Sequence, residues 1–275
     1  MGFIGLGDQG LPMAIAIAEA GYPLQVWARR PGSLDALEAV AHVRHDHLVE
    51  LAAASDIVCL CVSTDQDVMG LLTGGLLAGL RPGSIVVNHG TGTPGSAVAF
   101  ARACAEVGVE FLDAPVSGGR AGGEARTLTT MVGGPPLVAQ RCEALFQTFS
   151  AHVVRLGGHG AGEIAKLFNN TLMMMNQANI LDIIDLASQV GVDPIALVEV
   201  IKLGSGSSTA LQLIPVRSPV SIDAAVVEHA TAALLLDMDL FDEAMNELHV
   251  DVELISARAV RGADGVPELV RTLNP

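Results

Sequence analysis

Residues 1–6, Met-Gly-Phe-Ile-Gly-Leu, form a short apolar run that breaks into Gly5-Leu6-Gly7-Asp8-Gln9-Gly10. A helical pattern follows from Leu11 to about Ala20, Gly21 stops it, and Leu24 to Ala28 reads as a second strand. Strand, glycine turn, helix, strand is the context that a G-x-G-x-x-G fingerprint requires. It implies two parallel strands joined by a right-handed crossover, with a turn at the helix N-terminus that accepts a pyrophosphate. Gly5 permits the tight turn, Gly7 lets the backbone approach a phosphate, and Gly10 allows close helix–strand packing. Asp8 and Gln9 complete the expected cofactor turn. Pro12 gives up an N–H that has no intrahelical partner in the first turn.

The alternation continues. Asp56–Val62 reads as a buried strand, Val68–Leu77 as a helix, Ser84–Asn88 as a strand and Pro94–Val107 as a helix. Glu110–Asp113 and Thr129–Val132 read as further strands. Such a pattern means an α/β fold with a doubly wound, mainly parallel sheet, which binds ligands at the carboxyl ends of its strands. Those ends are Gly5–Gly10, Cys61-Val62-Ser63, His89–Thr91 and Pro115–Gly119.

From Gly160 a helical run reaches about Gln189, with apolar residues at helical spacing and neither Gly nor Pro between Ile164 and Leu186. After it the strand pattern stops. The expected organisation is a Rossmann domain over residues 1–160 and an all-helical domain over 161–275 that begins with the long helix. Met173, Met174 and Met175 read as core or subunit interface. Asp182 and Asp185 either satisfy buried polar groups or face solvent.

Composition excludes several classes of function. The formal net charge of −15 argues against a nucleic-acid partner, which needs a basic face. Asp182, Asp185, Asp237 and Asp239 interrupt the best apolar runs before they reach the roughly 18 residues of a membrane span. No basic residue precedes Arg29, so no secretory signal is expected. Cys59, Cys61, Cys104 and Cys142 have neither C-x-x-C spacing nor disulfide density, which fits a reducing, cytoplasmic compartment. No metal site is suggested.

The end of the second strand bears on cofactor choice. An enzyme that prefers NAD usually places an acid there to hold the ribose 2′-hydroxyl. Here Ala28 is followed by Arg29-Arg30 and then Ser33. An arginine pair without an acid fits a 2′-phosphate, gripped in bidentate fashion, and favours NADP(H) over NAD(H). A solvated basic turn is the other reading. On the long helix Lys166 and Asn170 stand four apart and share one face, and the chain has only one other lysine, Lys202.

Four segments together resemble the β-hydroxyacid dehydrogenases, the group of 3-hydroxyisobutyrate dehydrogenase, tartronate semialdehyde reductase and 6-phosphogluconate dehydrogenase. They are Gly2–Ala14, Asp113-Ala-Pro-Val-Ser-Gly-Gly119, Gly162-Glu-Ile-Ala-Lys166-Leu-Phe-Asn-Asn170 and Met238-Asp239-Leu240. The resemblance implies reversible hydride transfer between NAD(P) and a 3-hydroxy acid or related β-substituted alcohol, in a homodimer or homotetramer. It assigns Lys166 as the catalytic lysine and Asn170 as the asparagine that holds the reacting oxygen. Ser117, Gly118 and Gly119 match the substrate-carboxylate segment, and Thr91 matches a threonine near the nicotinamide.

The chemistry suits these residue types. Carbonyl reduction needs a proton donor beside the oxygen, and a lysine both supplies the proton and stabilises developing alkoxide charge. Departures from the family pattern are informative. Met238 stands where the family usually has lysine, Asn88 replaces a frequent aspartate, and Arg120 adds a cation next to Ser117–Gly119. If Arg120 points into the cleft, it moves the anionic anchor. If it points to solvent, the pocket is more apolar and a larger or neutral substituent lies against Met238. His89 reads as a polar loop residue rather than a second acid. Imine reduction on the same architecture, and cofactor binding without turnover, are the alternative functions.

Overall fold

β1 (Gly2–Ile4) is buried along its whole length, because strands pair with it on both sides and helices cover both faces. β2 (Leu24–Trp27) and β4 (Ile57–Leu60) flank it, both parallel. β3 (His42–Arg44) lies outside β2, while β5 (Ile85–Asn88) and β6 (Glu110–Asp113) extend the sheet beyond β4. The order β3-β2-β1-β4-β5-β6 reverses direction between β1 and β4, which opens a crevice at the carboxyl ends of those two strands. Past β6 the sheet is no longer purely parallel. β8 (Leu128–Gly133) runs antiparallel to β6 and to β7 (Val116–Ser117), and β9 (Ser150–Gly157) pairs parallel with β8.

The computed structural model describes residues 1–219 and 222–274. It divides into two compact units, Met1–Lys166 and Leu167–Pro275. In the first, strand residues alternate between two apolar layers. Phe3, Cys59, Val87 and Leu112 face α1 (Gly10–Glu19) and the layer around Phe146. Ile4, Val58, Leu60, Val86 and Phe111 face the other side, where α2 (Leu48–Ala53) contributes Leu51.

The helix expected over Val68–Leu77 is broken. α3 (Asp65–Leu71) passes into a π-helical turn at Leu72–Leu76, where Gly75 adopts φ 129°, and then into α4 (Leu77–Gly79). α5 (Pro94–Ala105), α6 (Gly119–Ala125) and α7 (Pro136–Phe146) complete the unit. β3, β7, β9, α2, α6 and α7 lie outside the segments that the sequence pattern marks as strands or helices. The strands among them are short or exposed, so their periodicity carries little signal.

α8 (Ala161–Gln189) starts in the first unit and continues into the second as one helix. α9 (Pro194–Leu203), α10 (Thr209–Leu213) and α11 (Ala224–Glu247) each begin on a side-chain cap, from Asp193, Ser208 and Asp223 respectively. α12 (Glu253–Asp264) and α13 (Val266–Leu273) follow. Met174, Met238, Phe241 and Met245 form one core cluster of this unit, so the middle methionine of the triplet is a core residue. Asp182 is gripped by Arg261 and Arg258, whose hydrogen bonds hold its carboxyl down at about 2. Lys202 donates to the carbonyl of Ile214. Among the described residues, no helix is long and apolar enough to cross a membrane.

Candidate active site

The glycine turn shows why two of its glycines cannot be exchanged. Gly5 has φ 100°, and a Cβ on it would lie 2.1 Å from the carbonyl oxygen of Cys61. A Cβ on Gly10 would lie 1.8 Å from the Gly5 carbonyl oxygen. Both are forced by the close approach of α1 and β4 to the turn. By contrast, nothing lies within 4 Å of a Cβ position on Gly7. The turn is therefore packed on one side and open at Gly7, which suits a dinucleotide's phosphates. A groove of about 750 Å³ adjoins it. Gly5, Gly7, Arg29, Arg30, Cys61, Val62 and Ser63 all line this groove. Asp8, Gln9 and Gly10 belong to the same turn but not to the lining.

The groove also takes in residues that sequence reasoning missed. Trp27 lines it, oriented by a hydrogen bond from its indole N–H to the Asp46 carbonyl at 3.2 Å. Asp67, on α3, lines it too and pairs with Arg29 at 3.0 Å. The only local signal for Asp67 was an acid one turn after the Cys61–Ser63 strand end.

A second polar region surrounds the loop after β5. Asp113, at the end of β6, accepts from the backbone N–H groups of Gly160 (2.9 Å), Gly162 (2.9 Å) and Glu163 (3.2 Å). It thereby satisfies donors at the start of α8 that no helical carbonyl can reach. Burial pushes its carboxyl up, while those N–H bonds pull it back.

Glu163 is also buried. Its Oε2 accepts from Gly92 N–H at 3.0 Å and its Oε1 from the Asn88 amide at 3.4 Å. Burial, then Asp113 and Asp65, hold its pKa well above the ordinary value, and Lys166 acts in the opposite sense. Asp65 fixes the far end of the loop through the Thr93 N–H at 3.0 Å. Thr91 stands half-buried between these anchors.

His89 departs from the expectation of a polar loop residue. It is 1% exposed, bonded through Nδ1 to the Ala114 carbonyl at 2.8 Å, and packed edge-on against Phe146 and Phe149. Burial lowers its pKa to about 4, so it is a neutral wedge.

Ser117 ends β7, Gly118 caps α6 and Gly119 opens it. Arg120 is half-exposed and held between Glu124 (2.8 Å) and Asp8 (3.3 Å). Lys166 and Asn170 are 7% and 6% exposed, one turn apart on α8. In the second unit the Asn170 amide donates to Asp237 at 2.6 Å, and its oxygen accepts from Asn169 at 3.0 Å. Asp237 carries no motif of its own; its position next to Met238-Asp239-Leu240 is the only local signal. Met238 is 1% exposed, with the Thr171 hydroxyl 3.7 Å from its sulfur, and serves the core of its unit.

Comparison with known proteins agrees with this architecture. Residues 1–158 match the family described as the NAD binding domain of 6-phosphogluconate dehydrogenase. Residues 160–261 match that described as NAD-binding of NADP-dependent 3-hydroxyisobutyrate dehydrogenase. An NAD-dependent L-serine dehydrogenase of Pseudomonas aeruginosa is 35% identical over 213 residues, 77% of this chain and 72% of the relative. A 2-hydroxy-3-oxopropionate reductase of Escherichia coli is 34% identical over 215 residues, 78% of this chain and 73% of the relative. The solved 3-hydroxyisobutyrate dehydrogenase of Mycobacterium tuberculosis, determined with L-serine, superposes with a TM-score of 0.86 at 25% identity, covering 100% of this chain and 98% of the other. With a fingerprinted Rossmann unit, a helical unit and both family signatures in order, the chain belongs to the β-hydroxyacid dehydrogenases, NAD(P)-dependent oxidoreductases that act on CH–OH groups.

Proposed function

We propose that this enzyme is NADP-dependent and moves a hydride between nicotinamide and a 3-hydroxy acid or related β-substituted alcohol, with Lys166 carrying the proton. The observation behind the reading is a buried lysine–asparagine pair one turn apart on α8, in a chain whose second strand is followed by Arg29 and Arg30, both lining the glycine groove, with no acid at the strand end. The glycine turn would hold the pyrophosphate, Arg29, Arg30 and Ser33 the 2′-phosphate, and Cys61–Ser63 and Thr91 the remainder. Bound nicotinamide supplies the hydride acceptor for oxidation and the donor for reduction.

As the substrate C–H hydride leaves, Lys166 takes the hydroxyl proton and the C–O bond becomes a carbonyl; in reduction it returns that proton. An asparagine amide has two N–H donors. One of Asn170's engages Asp237, which leaves the other for the reacting oxygen. The Asp237 bond fixes which way the amide faces. Backbone N–H groups of Ser117, Gly118 and Gly119 receive the substrate carboxylate, where glycine has no Cβ to obstruct it. Arg120 is already paired with Asp8 and Glu124, and Met238 packs in a core. Neither is needed as the anchor.

An apolar stripe on α8, Phe168, Leu172, Ile183 and Leu186, is exposed and supports a homodimer or higher oligomer. The four cysteines are free, as a reducing cytoplasm would keep them.

A panel of 3-hydroxy acids and neutral isosteres, followed at the nicotinamide absorbance with NADP+ and with NAD+, tests the reading. Turnover of a 3-hydroxy acid with a higher kcat/KM for NADP+ is expected. Binding of either cofactor with no hydride transfer to any member would contradict it.

A further inference from the structure

Among the buried polar contacts of the first unit, those between Asn88 and Glu163 join two elements that the reaction needs in register. Asn88 is 2% exposed and ends β5; Glu163 is 1% exposed and lies in the first turn of α8. The Asn88 side-chain oxygen accepts from Gly90 N–H at 3.2 Å and its amide donates to Glu163 Oε1 at 3.4 Å. Glu163 Oε2 accepts from Gly92 N–H at 3.0 Å. The two side chains thus bracket Thr91 from both sides. Glu163 is also three residues before Lys166, so the two neighbour each other on one helix face.

The geometry points to Asn88 and Glu163 as a matched amide–acid pair, in which Glu163 is a positioning residue that locks the Thr91 loop to the turn of α8 carrying Lys166. This rests on the reading of Lys166 as proton carrier. Without a proton shared between two carboxyls, donors and acceptors match only in this combination or in its mirror. Asp at 88 with Gln at 163 would keep all three hydrogen bonds, with the glutamine amide donating to the aspartate. Asp at 88 alone would set two carboxylates against each other. Gln at 163 alone would set two amide NH₂ groups against each other. The charged groups that face Glu163 are Asp113 from β6, Asp65 from α3 and Lys166 from its own helix.

The test is the set Asn88→Asp, Glu163→Gln and the double exchange, assayed well below each melting midpoint with NADP+ and the best hydroxy-acid substrate. Each single change is expected to lower kcat by about tenfold or more, because small misplacements of catalytic groups are costly. The NADP+ dissociation constant should stay within about threefold, a split that general destabilisation would not produce. Asn88→Asp should regain activity as pH falls, since two facing carboxyls share a proton. The double exchange should return kcat to within about threefold of the starting enzyme, the signature of a coupled pair. A single variant with unchanged kcat, or a double exchange no better than the worse single, would overturn the proposal. If the singles do not fold, the double decides alone, with an inactive folded double as the contrary result. Failure of the Lys166 reading would show separately, as full activity of Lys166→Ala, and would leave the rescue readable.

Discussion

The rim of the glycine groove and the polar layer around the 88–93 loop both place charged side chains at strand ends, under opposite conditions. At the rim, Arg29 and Asp67 are 78% and 29% exposed, and Arg120 and Asp8 are 55% and 76% exposed. Such pairs contribute about 0–1 kcal/mol and exchange partners readily. In the polar layer, Asp113, Glu163, His89 and Asn88 are all within 2% of complete burial. Each is committed to named partners, and leaving one of those unpaired costs about 1–3 kcal/mol. The rim is therefore suited to choosing a ligand and the buried layer to holding catalytic elements in place.

The largest expected effect is at Asp113. Asp113→Ala leaves three backbone N–H groups at the start of α8 without an acceptor. A loss of about 3 kcal/mol or more is expected in urea unfolding, with partial recovery in Asp113→Asn. A loss below about 1 kcal/mol would place Asp113 with the rim pairs instead.

His89 sharpens the comparison through pH. Its folded pKa is about 4 against an ordinary 6.5, so on acidification the unfolded chain takes the proton first. The stability it contributes is complete above 6.5 and is lost as pH falls toward 4, by up to about 3 kcal/mol. His89→Gln should remove that share of the slope in unfolding measured at pH 7 and pH near the lower limit. Identical slopes in both proteins would show that His89 is not held neutral by the fold.

Rim changes should act on ligand rather than on stability. Arg29→Ala is expected to weaken NADP+ binding by about 1.5–3 kcal/mol, the worth of a charge-assisted contact, while NAD+ binding and the melting midpoint hardly move. Equal affinity of the unaltered enzyme for both cofactors would refute the role. Asp67→Asn carries the smallest effect. Released from its 3.0 Å pair, Arg29 should bind NADP+ more tightly by about 0–1 kcal/mol, read by titration calorimetry at low salt.

The two regions also differed in how far the sequence disclosed them. The glycine turn was legible because Gly5, Gly7 and Gly10 report backbone geometry directly, and the strand and helix around them fix their context. α8 was legible from its 3.6-residue spacing. The polar layer was not, although Asp113 and Glu163 lie inside segments that marked the family. Their meaning depends on partners far along the chain: Asp113 on the N–H groups of 160–163, Glu163 on Gly92. His89 read as a loop residue because the phenylalanines that enclose it come from the end of α7 and the stretch after it. Met238 reads as pocket lining from its place in the Met238-Asp239-Leu240 segment, while the packing of Met174 and Phe241 around it has no local signature.

Central to all of this is the assignment of Lys166 as proton carrier. The direct measurement is kcat of Lys166→Ala on the preferred hydroxy acid at saturating NADP+, with folding and cofactor binding checked in the same preparation. A loss of about 10²–10⁴-fold is expected for removal of a positioned proton donor. Retention of more than about a tenth of the original kcat would contradict it.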